Sequence, residues 1–236
     1  FEQEQPILLD QFKNKTPFSK HLTSLIKYAD FGISDVKSVP ANIPSDIWHQ
    51  FKEQMKTQIG ADEGKLEEAF NIKNATQLQF THTGEDSSSA GFGLDNESRG
   101  TVAALSFFSL ALRQLSMPTV TLIDEIDTSL HPTLVAELVA LYTDPATNPH
   151  GSQLIFTTHD VSLINQSGSS NRLLQPDQIW LVEKDKDGAS ELFPVTELGI
   201  RKEENIGKNY LNGVYGATPN PSFHTVFAQI MNGDDD

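Results

Sequence analysis

The feature that most constrains this chain is an apolar, β-branched run, residues 119–123, which ends abruptly in the carboxylates Asp124 and Glu125. Such a run predicts a buried parallel strand. Ligands of open α/β sheets bind outside the carboxyl ends of the strands, so the two acids would lie at the edge where ligands bind. The sequence therefore predicts an α/β fold with a site at the end of this strand.

The acid pair has two interpretations. In a nucleoside triphosphatase, Asp124 would hold Mg²⁺ through its water shell, and Glu125 would orient and polarise the attacking water. Alternatively, the two acids simply cap the next helix, which has Pro132 in its first turn. The motif does not decide between them by itself, because its structural context has to agree.

Composition limits the class of protein. The chain has 236 residues, with 17 basic and 32 acidic side chains and a net charge of −15. This length suits one large α/β domain or a core with a small appendage. The negative charge repels phosphate backbones, so we do not expect direct nucleic-acid binding by this chain. The absence of cysteine excludes disulfides and cysteine-based metal sites, and it fits a cytoplasmic protein. We expect no membrane association, because no apolar run is long enough to cross a bilayer.

The sequence holds no loop that would cradle phosphates. The segment from Gly60 to Lys65 is one residue short between its glycines, and Leu66 stands where a hydroxyl must meet Mg²⁺. The segment around Gly207 fails for similar reasons. The chain begins at Phe1 without an initiating methionine, so we expect further residues before it in the gene product.

Residues 1–75 are mainly helical in pattern. Helices are predicted at 17–29, 46–59 and 62–70, with a possible strand at 31–39. Nothing in this part specifies chemistry, so we interpret it as a helical insertion or lid.

The next segment predicts a strand and a loop. Alternating apolar residues indicate a strand at 75–83, and His82 near its end is interpreted as a structural histidine. Residues 84–93 are rich in Gly, Ser and Asp, which predicts a mobile loop.

A helix that follows this loop offers a place for an anion. Residues 98–101 stand at its amino end, where free backbone amides and the helix dipole favour negative charge. Gly100 would let the backbone approach a phosphate closely. An ordinary cap explains Ser98 equally well. The helix itself is predicted from an apolar stripe, Leu105, Phe108, Leu112 and Leu115.

A second buried strand is predicted at 153–158, and it ends in His159 and Asp160. A histidine at a carboxyl edge, beside a strand that ends in Asp-Glu, is well placed to touch a γ-phosphate. Farther on, residues 178–183 and 191–195 predict a hairpin. Its acids, Glu183, Asp185 and Asp187, are too close together for a nuclease metal site, so we interpret them as part of a turn.

Three motifs in this order are more specific than any one of them. Residues 97–101, 122–132 and 156–160 resemble the signature, the Walker B motif with its D-loop, and the switch histidine of ABC-type ATPases. The closest resemblance is to bacterial AAA-like ATPases related to abortive-infection and overcoming-lysogenisation-defect proteins. It covers roughly residues 78–221.

The resemblance implies an ABC-type P-loop ATPase head, in which a sheet is flanked by helices. Residues 76–236 would be the carboxyl-terminal lobe of that head, and residues 1–75 a mainly helical insertion. The full pattern also needs a phosphate loop and an amino-terminal lobe. We expect these to precede residue 1; a lobe supplied by a partner and a degenerate domain are the alternatives.

The resemblance also implies a role for each candidate residue. Asp124 would bind the Mg²⁺ shell, Glu125 would be the catalytic base, and His159 would contact the γ-phosphate of ATP. Asp127, in the D-loop, would face a second protomer. The signature would reach the γ-phosphate of ATP held by that protomer, through Ser98, Arg99, Gly100 and Thr101.

Two ABC-type heads sandwich two ATP molecules, so the resemblance implies a homodimer or higher homo-oligomer that is switched by ATP. It also implies an anti-phage defence ATPase that senses a trigger and controls an effector partner, a toxin or a nuclease. Two alternatives stay open. One is a non-hydrolysing regulatory module, and the other is the ATPase part of an overcoming-lysogenisation-defect-type nuclease system.

Overall fold

The computed structural model describes residues 5–29, 31–41, 46, 49–50, 53–54, 56–57, 75–84, 88–165, 172–201, 204–219 and 222–232. Its helices are α1 Gln5–Lys13, α2 Pro17–Tyr28, α3 Arg99–Gln114, α4 Pro132–Thr143, α5 Ile206–Leu211 and α6 Phe223–Asn232. Its strands are β1 Ile33–Pro40, β2 Thr76–Thr83, β3 Ser89–Gly93, β4 Val120–Ile123, β5 Gln153–Phe156, β6 Trp180–Lys184 and β7 Ser190–Pro194. The mixture of helices with parallel and antiparallel strands confirms the predicted α/β class.

The first sheet is antiparallel, in the order β1-β2-β3. Leu78 and Phe80 of β2 are buried, which agrees with the predicted alternation. The prediction of a mobile loop at 84–93 is wrong for its last five residues, because they form β3 and place Phe92 opposite Phe80. Pairing with β2 satisfies their backbone groups, and this outweighs the low strand propensity of glycine and serine.

The parallel strands β4 and β5 form the second sheet. They pair in register from Val120 opposite Gln153 to Ile123 opposite Phe156, which confirms that the two predicted strands lie side by side. Parallel neighbours need a crossover connection, and α4 supplies it. This helix begins at Pro132, as the proline predicts, and the His131 ring caps it by accepting from the Thr133 amide.

One face of this parallel pair is uncovered, so the prediction that both strands are buried is wrong for that face. Thr121 points into the core and is buried, whereas Val120 is 57%, Leu122 73% and Ile155 57% exposed. Parallel strands are usually covered by helices on both faces. Among the described residues, only the face toward the core has such a cover.

The main hydrophobic core contains residues from both sides of position 75. The described residues before it, in α1, α2 and β1, pack with β2, α3 and α4 after it. The division of the chain at residue 75 stays a prediction. The largest buried aliphatic side chains of this core include Leu8, Leu22, Ile26, Leu78, Leu105 and Leu138.

A smaller core lies in the carboxyl-terminal part of the chain. β6 and β7 pair as the predicted hairpin, with Lys184 opposite Ser190 at the turn end. Leu181 of this hairpin packs with α5 and the segment after it, and the cluster consists of Ile179, Leu181, Val195, Ile206 and Tyr215.

Two of the predicted helices lie in residues 42–74, of which the structure describes only a few. Within 46–59, the described positions are helical. The predicted helix at 62–70 and the rejected phosphate-loop segment Gly60–Lys65 lie outside the described residues. The sequence predicts neither α1 nor α6. No helix in the described ranges has the length and apolarity needed to span a bilayer.

The packing of α3 can be tested by truncating one side chain. Leu105 is fully buried in the main core, so Leu105→Ala should lower the free energy of unfolding by about 2–5 kcal/mol through lost burial and cavity formation. Leu211→Ala removes the same atoms from an exposed position in α5 and should change it by about 0.5 kcal/mol or less. Urea denaturation of the complete gene product measures both. Equal losses in the two variants would contradict this description of the core.

Candidate active site

The site lies where β4 and β5 end together. Because the two strands are parallel and in register, Asp124 and Thr157 follow them at the same edge. The Thr157 amide donates to the Ile123 carbonyl at 3.0 Å, which continues the pairing one residue past β5. The Thr157 hydroxyl donates to Oδ1 of Asp124 at 2.5 Å. The first acid of the pair is therefore held by the neighbouring strand, and it remains exposed.

Glu125 has a left-handed backbone, with φ of +50°. Non-glycine residues avoid this region, and adopting it costs about 1–2 kcal/mol. Its amide donates to Oγ1 of Thr157 at 2.8 Å, so the same hydroxyl contacts the carboxylate of Asp124 and the backbone of Glu125. Oε2 of Glu125 accepts from the Thr128 hydroxyl at 3.2 Å, and the side chain is exposed. The second carboxylate thus belongs to a strained turn after the strand and is open to solvent.

Asp127 connects the segment after β4 to the segment after β5. Its Oδ1 accepts from the Thr158 hydroxyl at 2.6 Å and from the His159 amide at 3.3 Å. Burial alone would raise the pKa of Asp127, but these hydrogen bonds, its own backbone amide and the nearby His159 ring together lower it below the ordinary value. Asp127 is therefore a stable anion near neutral pH, and it fixes the backbone from which the exposed His159 projects.

The signature segment lies at the amino end of α3. Ser98 caps this helix, since its Oγ accepts from the Thr101 amide at 3.0 Å. Ser98 therefore caps the helix, and this contact is compatible with a ligand role. The Thr101 side chain is buried and contacts Ser98 Oγ through its own hydroxyl at 2.9 Å. Arg99 is exposed.

Gly100 brings the signature against the D-loop. A Cβ at this position would lie 2.8 Å from the carbonyl oxygen of Ser129, a distance that real Cβ atoms do not reach. Ser129 itself has a left-handed backbone, with φ of +66°. The structure thus groups the predicted residues in two neighbouring sets, and they meet where Gly100 touches Ser129. The first set is Asp124, Glu125, Asp127 and His159, and the second is Ser98, Arg99, Gly100 and Thr101.

The donor set of the first group suits a hard cation. Mg²⁺ prefers oxygen ligands, keeps several waters, and is usually bound by one or two carboxylates together with substrate phosphates. The exposed Asp124 carboxylate and its partner Thr157 provide such oxygens. No group of three or more histidine and acidic side chains among the described residues forms a metal cage by itself.

Sequence reasoning assigned no role to Thr157 and Thr158. Both belong to the motif at 156–160, and their hydroxyls make the bonds that hold Asp124 and Asp127. The sequence signal that could have found them is the pair of hydroxyl residues directly before the predicted histidine. Their contacts with the two aspartates depend on the register of the strands, which a single sequence does not reveal.

A family of known proteins matches more than half of this chain. Residues 8–165 match the model of a family described as "AAA domain, putative AbiEii toxin, Type IV TA system". No curated protein matches the chain. Among solved structures, the chain is similar to "Crystal structure of the SmcHead bound to the C-winged helix domain of ScpA", at 16% identity and a TM-score of 0.41. That likeness covers 75% of this chain and 41% of the other, so this chain spans less than half of that protein's length.

The family match confirms the predicted AAA-like ATPase class, while a specific relation to abortive-infection and overcoming-lysogenisation-defect proteins stays a prediction. Because the match covers more than half of the sequence, the chain belongs to the family of AAA domains described as putative AbiEii toxins of type IV toxin–antitoxin systems.

Proposed function

We propose that this chain is the part of an ATPase that holds Mg²⁺, activates water and contacts the γ-phosphate of ATP. The observation that supports this most directly is the common edge of β4 and β5, where one threonine hydroxyl, that of Thr157, contacts both Asp124 and Glu125. Two acids at the carboxyl end of a parallel strand, with a histidine on the next strand, match the needs of phosphoryl transfer to water.

Each side chain has a distinct role in the proposal. Mg²⁺-bound ATP would supply the reactive γ-phosphorus and a neutralised leaving group. Asp124, oriented by Thr157, would hold the cation through its water shell. Glu125 would accept a proton from the attacking water, since its carboxylate is exposed and can be reached by water. His159 would donate a hydrogen bond to the γ-phosphate from the backbone that Asp127 fixes.

The second set of residues would act on ATP bound to another protomer. Ser98, Arg99, Gly100 and Thr101 form the amino end of α3, where free amides and an exposed guanidinium favour phosphate. Contact between Gly100 and Ser129 would make the signature and the D-loop move as one surface. The protein would then form a homodimer, or a higher homo-oligomer, with ATP bound between the heads.

The cellular role proposed is anti-phage defence, in which ATP turnover controls a protein effector. The support is the description of the family, which names a toxin of a type IV toxin–antitoxin system. The phosphate loop that an ATPase needs is not in this sequence. We therefore propose that residues before Phe1 or a partner chain provide it, and the experiments below use the complete gene product. Its intact mass, compared with the 26.1 kDa of this chain, distinguishes these two sources.

Glu125→Gln tests the proposed base. The amide keeps the shape and the left-handed backbone but cannot accept the proton, so kcat for ATP hydrolysis should fall by about 100-fold or more while ATP still binds. Steady-state phosphate release and equilibrium binding of labelled ATP measure the two effects.

The matched control is Glu137→Gln, in an exposed position of α4. It should leave both measurements unchanged. If Glu125→Gln hydrolyses ATP at the wild-type rate, Glu125 is not the catalytic base. A wild-type protein that binds ATP and never hydrolyses it would favour the regulatory-module alternative.

Gly100→Ala tests the contact between the signature and the D-loop. The added methyl group would collide with the Ser129 carbonyl, and overpacking of this kind costs about 1–3 kcal/mol. ATP-dependent dimerisation should therefore weaken by about tenfold, as measured by sedimentation in the Glu125→Gln background.

Gly93→Ala is the corresponding control, since a Cβ at that position meets nothing closer than 3.9 Å and its φ is −75°. Gly93→Ala in the Glu125→Gln background should dimerise like Glu125→Gln alone. A Gly100→Ala variant that dimerises normally would show that the signature does not lie in the proposed interface.

A further inference from the structure

The first residue of the signature segment is a nearly buried carboxylate that the proposed chemistry does not use. The Glu97 side chain is 4% exposed, and its Oε1 lies 2.9 Å from Nε2 of His82. A carboxylate can only accept, so the histidine nitrogen is the donor. His82 was interpreted from sequence as structural, and its pairing partner was not foreseen.

Stability alone gives little reason for an acid in this position. A buried ionised group is costly to desolvate, and well-packed apolar residues often replace such pairs without loss of stability. A hydrogen-bonded pair does, however, fix two segments in one relative geometry. The pair therefore matters most if the placement of the segment after Glu97 matters.

The segment after Glu97 is the amino end of α3. The Glu97 amide closes a short turn by donating to the Leu94 carbonyl at 3.1 Å. The next residue, Ser98, accepts from the amides of Thr101 and Val102, through its Oγ and its carbonyl oxygen respectively. A shift of the Glu97 side chain would therefore move the cap and the first turn of the helix together.

His82 is itself held on a rigid element. It lies near the end of β2, opposite Ala90 of β3, and its ring meets Phe92 edge-on with centroids 5.3 Å apart. A further contact at this end of the helix comes from the D-loop, where Ser129 approaches Gly100. The amino end of α3 is thus held by the antiparallel sheet through His82 and by the parallel pair through Ser129.

We propose that His82 is a positioning residue, which places the signature for contact with the γ-phosphate of a second protomer by holding Glu97. The effect on the second protomer rests on the proposed function, whereas the positioning of the signature can be measured without ATP. His82 acts through Glu97 and does not touch the nucleotide.

The test compares His82→Phe, which keeps a planar ring and loses the donor, with His82→Gln, which keeps a donor at similar reach. His21→Phe, in an exposed position of α2, is the control for the change of residue type. The first measurement is hydrogen exchange of the Thr101 and Val102 amides in the complete gene product without nucleotide. His82→Phe should speed their exchange by about tenfold, the scale of one lost hydrogen bond to a charged group. His82→Gln should stay close to wild type, and His21→Phe should be unchanged.

The second measurement separates ATP binding from dimerisation. In the Glu125→Gln background, His82→Phe should leave the affinity of the monomer for MgATP unchanged and weaken ATP-dependent dimerisation by about tenfold, and His82→Gln should restore dimerisation. The effect should shrink when Glu97→Gln is already present, because the two residues act as a pair.

Three results would overturn the inference. The first is unchanged exchange at Thr101 and Val102 in His82→Phe. The second is faster exchange spread equally over β4 and β5, which would show a general loss of stability. The third is unchanged dimerisation in His82→Phe despite local loosening. If the parent protein neither hydrolyses ATP nor dimerises with it, the proposed function fails, and the exchange measurement alone then decides whether His82 positions the signature.

Discussion

The parallel pairing of β4 with β5 is the interaction on which the rest of the site depends. It places the residues after Ile123 beside those after Phe156, and every contact among the candidate catalytic residues follows from that register. Thr157 contacts both acids, and Thr158 contacts Asp127. A slip of one residue would point each of these side chains to the opposite face of the strand. The chemistry is therefore encoded in strand register as much as in the identity of the acids.

The second set of residues is attached to this edge and to the antiparallel sheet. Gly100 permits the close approach of Ser129, and His82 contacts Glu97 from the other side. These contacts hold the amino end of α3 between two sheets that come from different parts of the chain. An anion-binding helix terminus is general, but its direction depends on what surrounds it. In this protein one backbone carbonyl and one buried carboxylate contact the amino end of the helix, in addition to its packing in the main core.

The sequence predicted the parts of this arrangement that rest on local pattern. The apolar runs predicted β4 and β5, Pro132 predicted the start of α4, and the position of Ser98 predicted the cap of α3. Long-range effects were not predictable from one sequence. The strand at Ser89–Gly93 forms because β2 offers a partner, although its composition is typical of a loop. Thr157 contacts Asp124, which lies 33 positions earlier in the chain, and Glu97 contacts His82, which lies 15 positions earlier. The roles of Thr157 and Glu97 therefore depend on the fold. The uncovered apolar face of β4 and β5 could not be foreseen, because the runs are apolar on both sides.

The left-handed backbone of Glu125 has a consequence for how this protein can evolve. At φ of +50° a glycine would relieve about 1–2 kcal/mol of strain, so the substitution that this backbone favours also deletes the proposed base. Selection for heat resistance alone would therefore reward loss of the carboxylate. A laboratory lineage stabilised without a screen for turnover should drift toward glycine at position 125, whereas a lineage that is also screened for turnover should keep the glutamate.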